Sequence, residues 1–101
     1  DTDLELPKET IGNKHSYYVY VVAHENRDEI KKKMSQHDIH LNISYPWPIH
    51  IMEPYKDNVC KNCYCLENTN RYSKRIFSLP MYPYLKVNEQ KKVIKILKKI
   101  I

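Results

Sequence analysis

The sequence is nearly free of glycine, and this scarcity excludes several classes of enzyme. Its 101 residues include one glycine, Gly12. Loops that wrap a phosphate group and tight turns with positive φ angles depend on glycine, because a side chain would obstruct them. A glycine-rich nucleotide-binding loop of the usual kinds therefore cannot be built by this chain alone.

Two further absences concern membranes and export. No stretch approaches the ~18 apolar residues that a membrane span needs. The N-terminal DTDLELPKE is acidic and polar, whereas a signal peptide begins with basic and then apolar residues. The three cysteines fall between positions 60 and 65, and an odd, clustered set does not suggest a disulfide framework. We predict a cytoplasmic protein with no membrane partner.

What is present fits one small globular domain. The hydrophobic share of 42% and the charged share of 29% are ordinary for folded proteins. Residues 1–15 show no periodicity and are predicted to be a lead-in segment, while residues 16–101 form a single domain. The net charge of +5 favours either an anionic partner or a lysine-rich surface that keeps the domain in solution.

The first half of the chain predicts strand, helix, strand. Residues 17–22 are dense in tyrosine and valine, as in a buried strand. Asn26 is a suitable N-cap for a helix of about three turns, in which Ile30 and Met34 share a face. Residues 39–45 alternate between apolar and polar side chains, which predicts a second strand that points Tyr45 the same way as Ile39.

The second half predicts a short helical turn over residues 69–74, a strand over residues 76–79 and a terminal helix capped by Asn88. Five side chains of the terminal helix are expected to form its apolar face: Val93, Ile94, Leu97, Ile100 and Ile101. The order of elements predicts an α+β fold, a two-layer small domain in which helices cover one face of a small sheet.

A rigid aromatic corner, SYPWPIH, follows the second predicted strand. Pro46 and Pro48 fix the backbone there and cannot donate hydrogen bonds to a strand ladder. We expect Trp47 and the prolines to pack against the terminal helix as structural residues. His50 follows the corner, and a rigid backbone can hold its side chain in one place.

The cysteines raise the alternative of a free-standing, metal-binding module. Cys60, Cys63 and Cys65 could supply three thiolates to zinc or to an iron–sulfur cluster. A structural zinc site usually has four ligands in two separated pairs, and the second pair is missing. Ordinary loop thiols are therefore expected, and no metal ligand is assigned.

The other form of a binding module is one that binds RNA. A tyrosine-rich first strand and the order strand, helix, strand occur in the RNA-recognition fold. The signature of that fold, a basic residue followed by glycine and an aromatic, is absent here. The lysines of the terminal helix occupy the side that any amphipathic helix turns to solvent. We therefore predict no nucleic-acid partner.

Several short motifs follow one another along most of the chain. They are Tyr18-x-Tyr20-x-Val22, Arg27-Asp-Glu-Ile30, Tyr45-Pro-Trp-Pro-Ile-His50 and Ser78-Leu-Pro-Met-Tyr-Pro83. In this order and spacing they resemble the C-terminal domain of the nucleotide-sugar aminotransferases of the DegT family. Three positions depart from the family pattern: Asp38 replaces a common glycine, Ser44 a common histidine, and Asn70 a frequent glutamate.

The resemblance implies the small domain of a pyridoxal-phosphate enzyme of the aspartate-aminotransferase fold type. Such enzymes are homodimers that transfer an amino group, typically from glutamate, to a nucleotide-linked keto sugar. By resemblance the cofactor lysine belongs to a large domain that this chain lacks, so the chain is expected to bind no cofactor and to be inert alone. Tyr45 and His50 are the residues that the resemblance places in contact with the substrate.

Overall fold

The computed structural model describes residues 3–58 and 66–101. In these ranges the regular elements are, in chain order, strand β1 (Tyr20–Ala23), helix α1 (Arg27–Ser35), two 3₁₀ turns (Ile49–Ile51 and Lys56–Asn58), helix α2 (Glu67–Ser73), strand β2 (Ile76–Leu79) and helix α3 (Val87–Ile100). The predicted strand 76–79 is confirmed at both ends, and the helical turn predicted for residues 69–74 is α2.

Strands β1 and β2 run antiparallel, and their pairing gathers large side chains on one face. Val22 lies opposite Phe77, and Tyr20 lies opposite Leu79. Side chains two residues apart on a strand share a face, so these four point the same way. Phe77 and Val22 are 1% exposed. The face that they form is therefore the sheet side of the core.

Helices α1 and α3 cover that face. The buried core cluster consists of Val22, Ile30, Met34, Ile39, Leu41, Phe77 and Leu97. It joins both strands to both helices, and α1 and α3 also contact each other. The predicted α+β arrangement of helices on one face of a small sheet is confirmed for α1 and α3.

The strand predicted for residues 39–45 is wrong. Ile39 and Leu41 are buried as the alternation required, but only Asn42 pairs with β2, through backbone hydrogen bonds of 2.7 and 3.3 Å to Ser78. In the same register residue 40 would face Pro80, which has no N–H to donate. The ladder is thus limited to a single bridge on this edge of the sheet.

The other edge also carries a single bridge. Glu5 pairs with Ala23, at 2.9 and 3.0 Å, and Leu4 packs against the core. Part of the predicted lead-in segment therefore lies beside β1, and the boundary between residues 15 and 16 stays a prediction. β1 itself begins later than predicted, since Tyr17 has a φ of 52°, outside the strand region.

Helix α1 ends in a Schellman motif. Asp38 adopts a φ of 58°, and its N–H donates to the Ser35 carbonyl at 3.1 Å, while the Ile39 N–H donates to the Met34 carbonyl at 3.2 Å. These are the two hydrogen bonds of that motif. Aspartate tolerates the left-handed conformation better than most residues, so Asp38 can end the helix without glycine.

The predicted start of α1 is confirmed in position, since Asn26 stands at the N-cap and Arg27 is the first residue of the helix. Asn26 makes no side-chain cap; instead its N–H donates to Nδ1 of His24 at 3.0 Å. Helix α3 begins at Val87, before the predicted cap at Asn88. Its first turn is closed by the Lys86 N–H, which donates to the Glu89 carboxylate at 2.9 Å. A carboxylate in the first turn also suits the helix dipole.

The predicted apolar face of α3 needs one correction. Ile94 is 42% exposed, while Ile96 packs against the core together with Val93 and Ile100. Leu97, at the centre of this face, is buried. The buried stripe is therefore rotated by part of a turn from the predicted one.

Helix α2 is held by polar contacts, since it has no buried residue. The Arg27 guanidinium of α1 donates to the Ser73 carbonyl, and the Tyr72 hydroxyl donates to the Glu5 carboxylate at 2.9 Å. Arg75, just beyond the helix, lies 3.0 Å from the Glu25 carboxylate. These contacts fix α2 against α1 and against the N-terminal segment.

The substitution Phe77→Ala tests the core. We expect it to lower the free energy of unfolding by about 3–5 kcal/mol, because it leaves a cavity that the packed neighbours cannot fill. Val87→Ala is the control, since Val87 is 64% exposed, and it should change stability by less than about 0.5 kcal/mol. Urea denaturation measures the free energy of unfolding of both variants. Equal effects of the two substitutions would contradict the placement of Phe77 in the core.

Candidate functional site

The corner, residues 44–50, leaves the sheet at Asn42. The backbone of Asn42 is paired with Ser78, and its side-chain amide donates to Oγ of Ser44 at 2.8 Å. The peptide bond between Ser44 and Tyr45 is cis. The start of the corner is therefore anchored to β2 through Asn42.

At its other end the corner runs into the first 3₁₀ turn. Pro48 has φ −59° and ψ 143° and stands at the N-cap of Ile49–Ile51. The Ile51 N–H donates to the Pro48 carbonyl at 3.1 Å. Because the proline ring fixes φ, the turn begins at a set point, and His50 lies at its centre.

His50 is tied to α2. Its Nε2 lies 2.7 Å from Oδ1 of Asn70. An amide oxygen can only accept a hydrogen bond, so Nε2 carries the proton and donates. The pairing joins two segments 20 residues apart, and no spacing rule pointed to it; the sequence marked Asn70 only as a departure from the family pattern.

Tyr45 is not packed into the domain. Its side chain is 80% exposed, so it does not share the buried side of Ile39 as the alternation predicted. Trp47 is 65% exposed, and the prediction that it packs against the terminal helix is wrong. The two predicted substrate contacts thus occur on one short segment, with Tyr45 in solvent and His50 half-buried.

The corner and the turns after it expose a series of large apolar side chains. This corner patch consists of Tyr45, Trp47, Ile49, Ile51 and Tyr55, each more than half exposed. Single exposed apolar residues are normal on a protein surface, whereas a concentration of them marks an interaction site. The corner patch is therefore the part of this segment suited to contact another surface.

A groove lies elsewhere on the domain. It has a volume of about 370 Å³ and is lined by α3, the end of β2 and residues 4 and 6. Its walls are mostly apolar, and Lys98 is the one charged residue among them. Neither Tyr45 nor His50 borders it, so the cavity and the predicted site do not coincide.

The apolar groove does not fit pyridoxal phosphate. A lysine that holds this cofactor needs an enclosed polar setting with groups that bind phosphate. Lys98 stands at the rim of an apolar groove, and the one glycine, Gly12, lies in an exposed segment with no atom within 4 Å of where a Cβ would be. No catalytic step through the cofactor is assigned to this chain.

Two other predictions concern metal and membrane. Cys60, Cys63 and Cys65 lie outside the described residues. In residues 3–58 and 66–101, no three His, Cys, Asp or Glu side chains are grouped so that they could hold a metal ion. Within the same ranges, no helix has the length and hydrophobicity to span a membrane.

Comparison with known proteins identifies the family. Residues 1–98 match the model of the DegT/DnrJ/EryC1/StrS aminotransferase family. The chain belongs to this family. The resemblance in the sequence motifs is thereby confirmed, and with it the link to a family that uses pyridoxal phosphate.

Two proteins similar to this chain show how much of a longer family member it covers. A dTDP-3-amino-3,4,6-trideoxy-alpha-D-glucose transaminase from Micromonospora megalomicea subsp. nigra is 48% identical over 97% of this chain, which covers 26% of that protein. An aminotransferase of the same family from Brucella abortus superposes with a TM-score of 0.80 at 30% identity, and the chain again covers 26% of it. The chain thus spans about a quarter of the length of its relatives.

A third comparison concerns the fold alone. DesV from S. venezuelae, solved in complex with a ketimine intermediate, superposes with a TM-score of 0.89 at 21% identity over 97% of this chain and 26% of its own. The arrangement of the short sheet and the three helices is therefore shared with DesV. The predicted fold class is confirmed by this likeness.

The substitution Trp47→Ala tests the exposure of the corner. We expect the free energy of unfolding of the isolated chain to change by less than about 0.5 kcal/mol, because an exposed side chain contributes little to folding. Leu97→Ala is the matched control for a buried position and should cost about 2–5 kcal/mol. Urea denaturation compares them, and a loss of several kcal/mol for Trp47→Ala would show that the indole is packed.

Proposed function

We propose that this chain is the C-terminal domain of a pyridoxal-phosphate-dependent aminotransferase that transfers an amino group to a nucleotide-linked keto sugar. The observation that carries the proposal is the 48% identity, over nearly the whole chain, to a quarter of a dTDP-sugar transaminase. The cofactor and its lysine would belong to the remaining three quarters of such an enzyme. By itself the chain would be inert.

The role of this domain would be to present the corner to the active site. The corner patch is exposed, while the backbone beneath it is anchored to β2 through Asn42 and to α2 through His50. A rigid loop that carries exposed aromatic side chains suits contact with a substrate, because little conformational freedom is lost on binding. Tyr45 and His50 would contact the sugar nucleotide there.

The partners follow from the same proposal. Glutamate would be the amino donor, and the complete enzyme would be a homodimer in the cytoplasm, which agrees with an odd number of clustered cysteines in a reducing compartment. No described contact favours a free-standing metal-binding or RNA-binding module. The charged side of α3 is accounted for by its amphipathic packing on the core.

The experiment uses the complete product of the gene that encodes this chain. The purified protein should aminate a nucleotide-linked keto sugar when glutamate is supplied, as followed by mass spectrometry of the sugar nucleotide. The isolated 101-residue chain, assayed in parallel, should show no turnover. Amination by the isolated chain, or none by the complete protein with any nucleotide-linked keto sugar tested, would contradict the proposal.

His50→Ala in the complete protein tests the corner. We expect kcat/KM for the sugar nucleotide to fall about five- to tenfold, as for the loss of one hydrogen bond of ~1–1.5 kcal/mol. His37→Ala is the matched control, since His37 is exposed beyond the end of α1, and it should leave kcat/KM unchanged. Steady-state kinetics at a fixed glutamate concentration measure kcat/KM for both variants. An unchanged kcat/KM for His50→Ala would remove His50 from the substrate site.

A further inference from the structure

The hydrogen bond between His50 and Asn70 determines what the histidine can offer to a ligand. Nε2 lies 2.7 Å from the Asn70 carbonyl oxygen, and that oxygen accepts only. The proton of a neutral ring is therefore on Nε2, and Nδ1, on the other edge of the ring, carries a free lone pair. Held this way, His50 has one hydrogen-bond acceptor and no remaining donor.

The hydrogen bond to Asn70 is the polar contact that orients the His50 ring. Among the described residues, no carboxylate lies within ion-pair distance of His50, and Glu53, three residues on, is paired with Lys56 at 2.6 Å. Asn70 itself is uncharged, so it orients the ring through a hydrogen bond and not through an ion pair.

We infer that Asn70 is a positioning residue, which holds His50 in the Nε2–H tautomer so that Nδ1 accepts a hydrogen bond from a hydroxyl group of the bound sugar. The inference rests on the proposed function for the identity of the ligand. The diphosphate of a sugar nucleotide has only acceptor oxygens and cannot donate to Nδ1. The contact made by His50 is therefore assigned to a hydroxyl group and not to the diphosphate, and Asn70 acts through His50 alone.

The first test is nuclear magnetic resonance of the isolated chain labelled with ¹⁵N-histidine, at a pH about two units above the ordinary histidine pKa of ~6.5. A hydrogen-bonded Nε2–H exchanges slowly with water, so the wild-type chain should show a resolved ring N–H signal for His50. Asn70→Leu should lose that signal. Asn68→Leu, the same change two residues away on the exposed side of α2, should keep it.

The second test is kinetic and uses the complete protein. Asn70→Leu should raise KM for the sugar nucleotide about fivefold with kcat nearly unchanged, and Asn68→Leu should change neither. Asn70→Asp keeps an acceptor for Nε2–H, but its carboxylate favours the doubly protonated ring. Its KM should therefore be raised at neutral pH and return to the wild-type value as the pH is increased, a recovery that Asn70→Leu should not show.

The outcomes of the two tests distinguish failure of this inference from failure of the proposed function. A missing N–H signal in the wild-type chain, or one that persists in Asn70→Leu, would overturn the inference and leave the proposed function untouched. A KM that is the same in the wild-type protein, Asn70→Leu and Asn70→Asp would overturn the role of Asn70 in binding. Absence of any transamination by the complete wild-type protein would instead overturn the proposed function.

Discussion

The burial of Phe77 against Val22 and Met34 is the interaction on which the rest of this domain depends. The three side chains are 0–1% exposed, and they connect both strands to α1 and, through Leu97, to α3. A domain of this size buries a limited core, so this contact carries a large share of the stability. It also fixes β2 between β1 and the bridge at Asn42.

The position of β2 determines the position of the corner. Because Phe77 points into the core, its neighbour Ser78 directs its backbone groups to the free edge, where Asn42 pairs with it. The chain then leaves the sheet after Asn42, and Pro80, directly after β2, prevents the ladder from continuing on the other side of the bridge. The same side chains that hold the domain together therefore project residues 45–50 outward, and α2 supports them from the far side through Asn70.

Local patterns in the sequence predicted the elements that depend on local physics. Strand β2, the helical face of Ile30 and Met34 and the amphipathic α3 all follow from hydrophobic periodicity. The strand at residues 39–45 was predicted wrongly. Alternation of apolar and polar side chains indicates which residues are buried, whereas a hydrogen-bonded ladder also needs backbone N–H groups on the neighbouring strand. Trp47 was predicted wrongly because large aromatics are usually buried. The pairing of His50 with Asn70 depends on tertiary structure and leaves no local pattern. The motifs nevertheless placed the chain in the correct family.

We propose the corner patch as the surface that meets the rest of an aminotransferase, and hydroxyl-radical footprinting with mass spectrometry tests this most directly. Trp47 and Tyr45, 65% and 80% exposed in the domain alone, should be oxidised readily in the isolated chain and several-fold more slowly in the complete gene product. Oxidation of both side chains at equal rates in the two proteins would show that the corner faces solvent in the enzyme and would contradict the account.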